Sequence, residues 1–255
     1  MAHPIHILWG IPRTTSTAFE WMMRMRGDMA CFHEPYGPAW YQGAEAMAPG
    51  VTADTPRKDG FTFDEVTARL HEAAEQMPVF VKDFPQYTDH LWTSEWLGSF
   101  RHSFLIRDPA KVMTSLQRSY EKSDDGDVAF TDREVGFAEQ RTLFERLIRE
   151  TGETPVVIDS DDVLADPPAM VEAWCDAIGI PFVEDALTWE PGSRSEVLWF
   201  DGNDDVWHAS LRDSDGLKPQ PRKDADISTL SPELRRQYDS ALPHYERLHS
   251  ARLRA

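Results

Sequence analysis

The sequence predicts an α/β protein built as a single doubly wound parallel sheet with helices on both faces. Three observations predict it. Short, nearly unbroken apolar runs recur at 4–9, 78–82, 102–107 and 155–159, the pattern of strands buried on both faces. Segments with apolar residues at helical spacing lie between the runs. The first and third runs pass through a turn carrying a cation, Arg13 or Arg107, straight into a helix pattern. Strands alternating with helices assemble into a parallel sheet covered on both sides.

The first strand continues through Gly10-Ile11-Pro12-Arg13-Thr14-Thr15-Ser16-Thr17 into a helix beginning at Ala18. Residues 36–61, rich in Gly, Pro and Ala around Trp40 and Tyr41, read as irregular. An amphipathic helix over 63–77 puts Val66, Leu70, Ala73, Ala74 and Met77 on one face. The second strand ends on Lys82. The third ends on Arg107, and Asp108-Pro109 supplies an N-cap and a first-turn proline for the helix that follows. Ser123 to Asp127 form an acidic, solvated turn. A helix over 131–150 spaces Phe137, Phe144, Leu147 and Ile148. After the fourth strand, a helix over 163–178 is delayed by Pro167 and Pro168 and closed by Gly179. Residues 188–226, with Trp189, Trp199 and Trp207, read as a lid or irregular segment. A C-terminal helix is expected over 231–250.

The 255 residues suffice for one domain spanning 1–255. A hydrophobic content of 41% argues against disorder. The formal charge of −18 repels nucleic acid as a main partner, yet a few cations in one cleft can still hold a small anion. Cys31 and Cys175 are isolated, so no disulfide framework is expected and a reducing cytoplasm fits. No run approaches the ~20 apolar residues of a membrane helix, and no cluster of His, Cys and carboxylates has metal-ligand spacing.

The chemistry concentrates at the strand-to-helix turns. Pro12 to Thr17 combine one cation with four consecutive hydroxyl residues before a helix N-terminus, where free N–H groups and the dipole attract an anion. N-capping alone explains the hydroxyls, but a cation at that end is disfavoured unless an anion is present. There is no G-x-x-x-x-G-K-[ST] loop, so ATP or GTP hydrolysis is poorly supported. Arg107 offers a planar fork for phosphate oxygens, and Ser115, eight residues on, adds a hydroxyl from the second helical turn.

These two elements, in this order, resemble those of sulfotransferases that use 3′-phosphoadenosine 5′-phosphosulfate (PAPS). Pro12-Arg13-Thr14-Thr15-Ser16-Thr17 is similar to the family's P-K-S-G-T-T and P-R-S-G-S-T loops, with Thr14 and Thr15 where Ser and Gly usually stand. Arg107 and Ser115 match the family's Arg-x7-Ser element for the 3′-phosphate. The resemblance implies a P-loop NTPase-like sulfotransferase fold with PAPS as co-substrate, no metal, and a small-molecule acceptor. Arg13 would neutralise the transferring group, with Lys82 assisting. Thr14, Thr15, Ser16 and Thr17 would line the loop, with Ser16 and Thr17 on the 5′-phosphate. Where many relatives carry Lys-Thr-His with a catalytic histidine, this chain has Lys82-Asp83-Phe84. The resemblance points instead to Glu34 as base, in Phe32-His33-Glu34-Pro35-Tyr36, with Pro35 expected to hold Glu34 extended; His90 is the substitute candidate. Trp207-His208-Ala209-Ser210 and Ser214-Asp215-Gly216-Leu217-Lys218 resemble the family's late segment over the nucleotide, so Ser214, Gly216 and Lys218 join the expected cofactor contacts, with Arg222 and Lys223 as further cations. Trp40, Tyr41, Trp92, Trp96, Trp199 and Trp207 suit an aromatic, sugar or cationic acceptor equally. Two rivals stay open: a kinase holding magnesium on Asp83 or Asp159, and a non-catalytic nucleotide-binding module.

Overall fold

Five strands, β1 (Ile5–Trp9), β2 (Ala30–His33), β3 (Val79–Asp83), β4 (Arg101–Ile106) and β5 (Val156–Asp159), form one all-parallel sheet in the order β2-β3-β1-β4-β5. This computed structural model describes residues 2–121, 130–194, 197, 211–222 and 224–255. The acidic turn Ser123 to Asp127, Trp199, Trp207, His208, Ala209, Ser210 and Lys223 lie outside the described residues.

Alternation along the strands separates two cores. Leu8, Phe80, Leu105 and Ile158 face α1 (Ser16–Met25) and, through Met170, Val171 and Trp174, the later helix Pro167–Ile178. Ile7, Trp9, Val81, Phe104 and Val157 face the opposite way, onto Phe63, Val66 and Leu70 of one helix and Leu143, Phe144 and Leu147 of another. The predicted four strands are present, and β2 is a fifth that the sequence pattern does not announce. It is a four-residue edge strand with only His33 fully buried, so no continuous apolar run marks it.

The helices after α1 are α2 (Gly37–Gln42), α3 (Phe63–Ala74), α4 (Ser94–Gly98), α5 (Pro109–Tyr120), α6 (Asp132–Val135), α7 (Phe137–Thr151), α8 (Ser160–Ala165), α9 (Pro167–Ile178) and α10 (Pro232–His249). The segment expected to be irregular contains α2, which buries Trp40 completely. Trp40 and Trp92 are core residues, and Trp96 packs against the same cluster. The helix expected over 131–150 is two helices, divided at Gly136. That residue has φ 82°, and a Cβ there would lie 2.3 Å from Gln86 Oε1, so the chain must turn without a side chain. The helix expected over 163–178 is likewise divided, because Asp166 caps α9 at Pro167 and closes α8 before it. A third cluster, including Ile11, Val112, Leu116, Phe137 and Leu234, seats α10 against α5 and the start of α7. Among the described residues no helix is long and apolar enough to cross a membrane.

The buried Gln140 of α7 bridges β1 and β4 near their carboxyl ends: its Nε2 donates to Trp9 O at 3.0 Å and to Leu105 O at 3.1 Å. Gln140→Met should therefore cost about 1–3 kcal/mol of stability by leaving buried acceptors unsatisfied. Urea denaturation would measure it, and a loss within error of zero would show that the carbonyls find other donors.

Candidate functional site

In the observed strand order the chain leaves β1 toward β2 and β3, then crosses back over β1 to β4. The carboxyl ends of the strands therefore open a crevice at a topological switch point, the place where open α/β sheets bind ligands. Every strand delivers polar residues to that end.

The loop between β1 and α1 is braced from several sides. Thr14 turns its hydroxyl inward and donates to Ile11 O at 2.6 Å. Ser160 Oγ lies 2.6 Å from Thr14 O and 2.9 Å from Ile106 O, tying the loop to β4. Gly10 N donates to Asp83 O at 3.0 Å, tying it to β3. Gly10 leaves little room for a side chain: a Cβ would stand 3.0 Å from Ser16 Cβ. Arg13 and Thr15 both have positive φ, 67° and 66°. Thr15 thus holds the left-handed conformation that a glycine would adopt freely, at a strain of about 1–3 kcal/mol.

Thr15 is also the residue before α1, and it makes no side-chain cap; the first turn of α1 contains no acid. By contrast α3, α5, α9 and α10 are capped by Thr62, Asp108, Asp166 and Ser231. The α1 N-terminus, with Ser16 and Thr17 at its first two positions, thus presents its dipole and first-turn N–H groups to an anion.

Arg13, Arg107 and Ser115 converge beside it. Arg13 Nε donates to Ser115 Oγ at 2.9 Å, and Arg107 Nη1 donates to Arg13 O at 2.6 Å. Arg107 Nε is buried without a hydrogen-bond partner. Burial, and then the charges of Arg107 and Arg118, push the Arg13 guanidinium below its ordinary value. Burial does the same to Arg107. Cations crowded in this way, one with an unsatisfied buried donor, are stabilised by a bound anion such as phosphate or sulfate. Arg118 is a member that the sequence reading missed. Its signal was helical spacing, three residues beyond Ser115 on α5.

Next to the loop, Lys82 and Glu34 form an ion pair, with the Lys82 side chain only 1% exposed and that of Glu34 17%. Lys82 Nζ also sits over the Phe84 ring, 4.1 Å from its centre. Glu34 is not extended as the following proline suggested: its φ is 42°. Three backbone bonds impose the turn. Glu34 N donates to Lys82 O at 2.7 Å, Gly37 N to Glu34 O at 2.9 Å, and Tyr36 N to Asp83 Oδ2 at 3.0 Å.

Asp83 is fully buried, and Phe84 N donates to its other oxygen at 2.8 Å. Burial pushes its carboxyl up to about 8, against these backbone donors. Asp159 caps α8 through Asp161 N at 2.7 Å and accepts from Tyr245 Oη at 2.9 Å. Both carboxylates considered for magnesium are thus engaged by protein donors.

The remaining candidates have protein partners of their own. His90 is on the surface, its ring edge-on to Phe63 at 4.3 Å and facing Asp89. Ser214 Oγ donates to Leu211 O at 2.6 Å and accepts from Trp189 Nε1 at 3.2 Å. Gly216 bridges Thr188 so closely that a Cβ would lie 2.6 Å from Leu187 O. Lys218 pairs with Asp215 at the surface, and Arg222 with Asp162. Arg222 thus ties the late segment to α8, and Trp189 within that segment is a core residue packed on Trp21.

A family model described as a sulfotransferase domain matches residues 5–251. The branched-chain-amino-acid aminotransferase-like protein 2 of Arabidopsis thaliana is 26% identical over 231 residues, covering 84% of this chain and 36% of that protein. Sulfotransferase ppzF of Metarhizium majus is 24% identical over 212 residues, covering 74% of this chain and 61% of its own. The chain therefore spans less than two thirds of the length of either relative. In fold it resembles a mouse sulfotransferase crystallised with PAP, with a TM-score of 0.55 and 9% sequence identity over 96% of this chain and 85% of the other.

Proposed function

The chain belongs to the sulfotransferase domain family, and from that premise we propose that it moves a sulfuryl group from PAPS to a hydroxyl or amine of a small-molecule acceptor. One observation carries the reading: the half-buried Arg13 and Arg107 beside an uncapped helix N-terminus, with the buried Arg107 Nε lacking a protein partner. That set fits a co-substrate bearing phosphates at two positions. Bound PAPS would supply the sulfuryl group and depart as adenosine 3′,5′-bisphosphate (PAP).

The chain's own residues then divide the work. Ser16, Thr17 and the first-turn N–H groups of α1 hold the 5′-phosphate end, and Arg107 with Ser115 the 3′-phosphate. Arg13 offsets negative charge that builds on the transferring group, a preorganised contribution of the kind that is often the largest catalytic term. Glu34 takes the acceptor's proton, while Lys82 fixes its carboxylate and adds positive charge near the loop. The protein donors on Asp83 and Asp159 favour this reading over a magnesium-dependent kinase.

Calorimetry with PAP in excess EDTA tests the binding half, and a screen of alcohols, phenols, sugars and amines with labelled PAPS tests the transfer. Tight PAP binding without metal and turnover of at least one acceptor are expected. Binding of ATP that requires magnesium, with PAP ignored, would replace the proposal with the kinase. PAP binding with no turnover across the panel would favour the non-catalytic module.

A further inference from the structure

His33 and Glu20 stand behind Glu34, and the sulfuryl-transfer reading gives them no task. Glu20 lies on α1 in an otherwise apolar stretch and is fully buried. Its Oε1 receives Arg24 Nε at 2.8 Å, and its Oε2 lies 2.5 Å from His33 Nδ1. His33 ends β2 in register with Lys82 of β3, so the two side chains leave the same face of the sheet. The ring is 4% exposed, and its Nε2 is aimed at Glu34 Oε1, 3.6 Å away. The line Arg24, Glu20, His33, Glu34, Lys82 thus runs from the helix to the crevice.

We propose that Glu20, His33 and Glu34 form a proton relay, in which Glu34 passes the acceptor's proton from Oε1 to His33 Nε2 while Glu20 holds the Nδ1–H. The proposal rests on the sulfuryl-transfer reading of the site. The balance is complete. The acceptor oxygen bonds to sulfur as its proton moves to the Glu34 carboxylate. The bond from sulfur to the bridging oxygen breaks, and its electron pair leaves on the bisphosphate. The proton then moves to His33, and the imidazolium is paired with the Glu20 carboxylate. After the product departs, the proton returns through Glu34, the more exposed partner, to water.

The groups around the ring fit this task. Arg24 and Glu20 face it from α1, Lys82 from β3, and Glu34 from its own turn. The Glu20 charge is felt by Cys31 of β2, and the Glu34 charge by Asp83, Tyr41 and Tyr87. Burial alone would push the Glu20 carboxyl up, but the hydrogen bond to the His33 ring and the charges of Arg24 and Lys82 pull it below its ordinary value. Glu20 therefore stays ionised, as an orienting carboxylate must. Such a carboxylate fixes which ring nitrogen carries the proton.

Nitrogen-15 NMR of histidine-labelled protein tests the relay without any acceptor, with His33→Gln assigning the signals. At neutral pH, Nδ1 of His33 should carry a strongly bonded proton and Nε2 should be unprotonated. Glu34→Gln should move the Nε2 signal, and Glu20→Gln should weaken the Nδ1–H signature. A proton on Nε2 at neutral pH, or no response to either substitution, would overturn the relay. Kinetically, His33→Gln should lower kcat about tenfold and move the acidic limb of its pH profile, with KM for PAPS unchanged; a lower plateau with an unmoved limb would mean a purely structural histidine. PAP calorimetry on the same sample separates the two failures. Lost PAP binding speaks against sulfuryl transfer, whereas intact binding with Nε2 protonated speaks against the relay alone.

Discussion

Glu34→Gln should cut turnover on a hydroxyl acceptor by about 10²-fold or more, the usual worth of a positioned general base, while PAP binding stays nearly unchanged. Glutamine keeps the shape of the side chain and can still accept a hydrogen bond from the buried Lys82 ammonium, so the fold should survive. It cannot take the acceptor's proton. The acidic limb of the pH–rate profile should vanish with it. Asp83→Asn and His90→Ala should each cost much less. Asp83 holds the Glu34 turn through Tyr36 N and carries its own proton near neutrality, and His90 packs on Phe63 at the surface. An amine acceptor needs less help from a base, so the hydroxyl is the one to measure. Near wild-type turnover by Glu34→Gln, with His90→Ala inactive, would move the base to His90.

Arg107→Ala should weaken PAP far more than AMP, because it removes a charge-assisted contact that only the 3′-phosphate engages. The comparison between ligands matters because Arg107 also braces the loop, donating to Arg13 O at 2.6 Å. Loss of that brace should weaken both nucleotides alike. The excess loss for PAP isolates the phosphate contact, and calorimetry with both ligands reads it. Arg107→Lys should recover only part of the difference, since an ammonium cannot present a planar fork. Equal losses for PAP and AMP would mean that Arg107 only supports the loop.

How much of this was legible in the sequence depended on the range of the signal. β1, β3, β4 and β5 were visible as apolar runs, and the α5 start as Asp108-Pro109, because each is a local pattern. β2 was hidden because an edge strand of four residues needs no apolar run, and its last residue lies in a segment that reads as a turn. The breaks at Gly136 and Asp166 were missed because helical spacing continues across them. Trp40 and Trp92 read as pocket aromatics since their surroundings in sequence are irregular, yet tertiary packing buries them.

The site divides in the same way. By itself the sequence determined the alternating architecture and singled out Arg13, Ser16, Thr17, Arg107 and Ser115 as the candidates for holding an anion. A strand entering a helix through a cation and hydroxyls is written in adjacent residues, and the physics of a helix N-terminus acts over one turn. Only the tertiary structure decided what those residues touch. Strand order set Arg13 on Ser115, 102 residues away, and Lys82 on Glu34, 48 residues away. It also showed Asp83 and Asp159 occupied by protein donors, and His33 backed by Glu20. These are contacts between polar and charged groups far apart in the sequence. Their partners follow from sheet register and burial, which no local pattern of residues encodes.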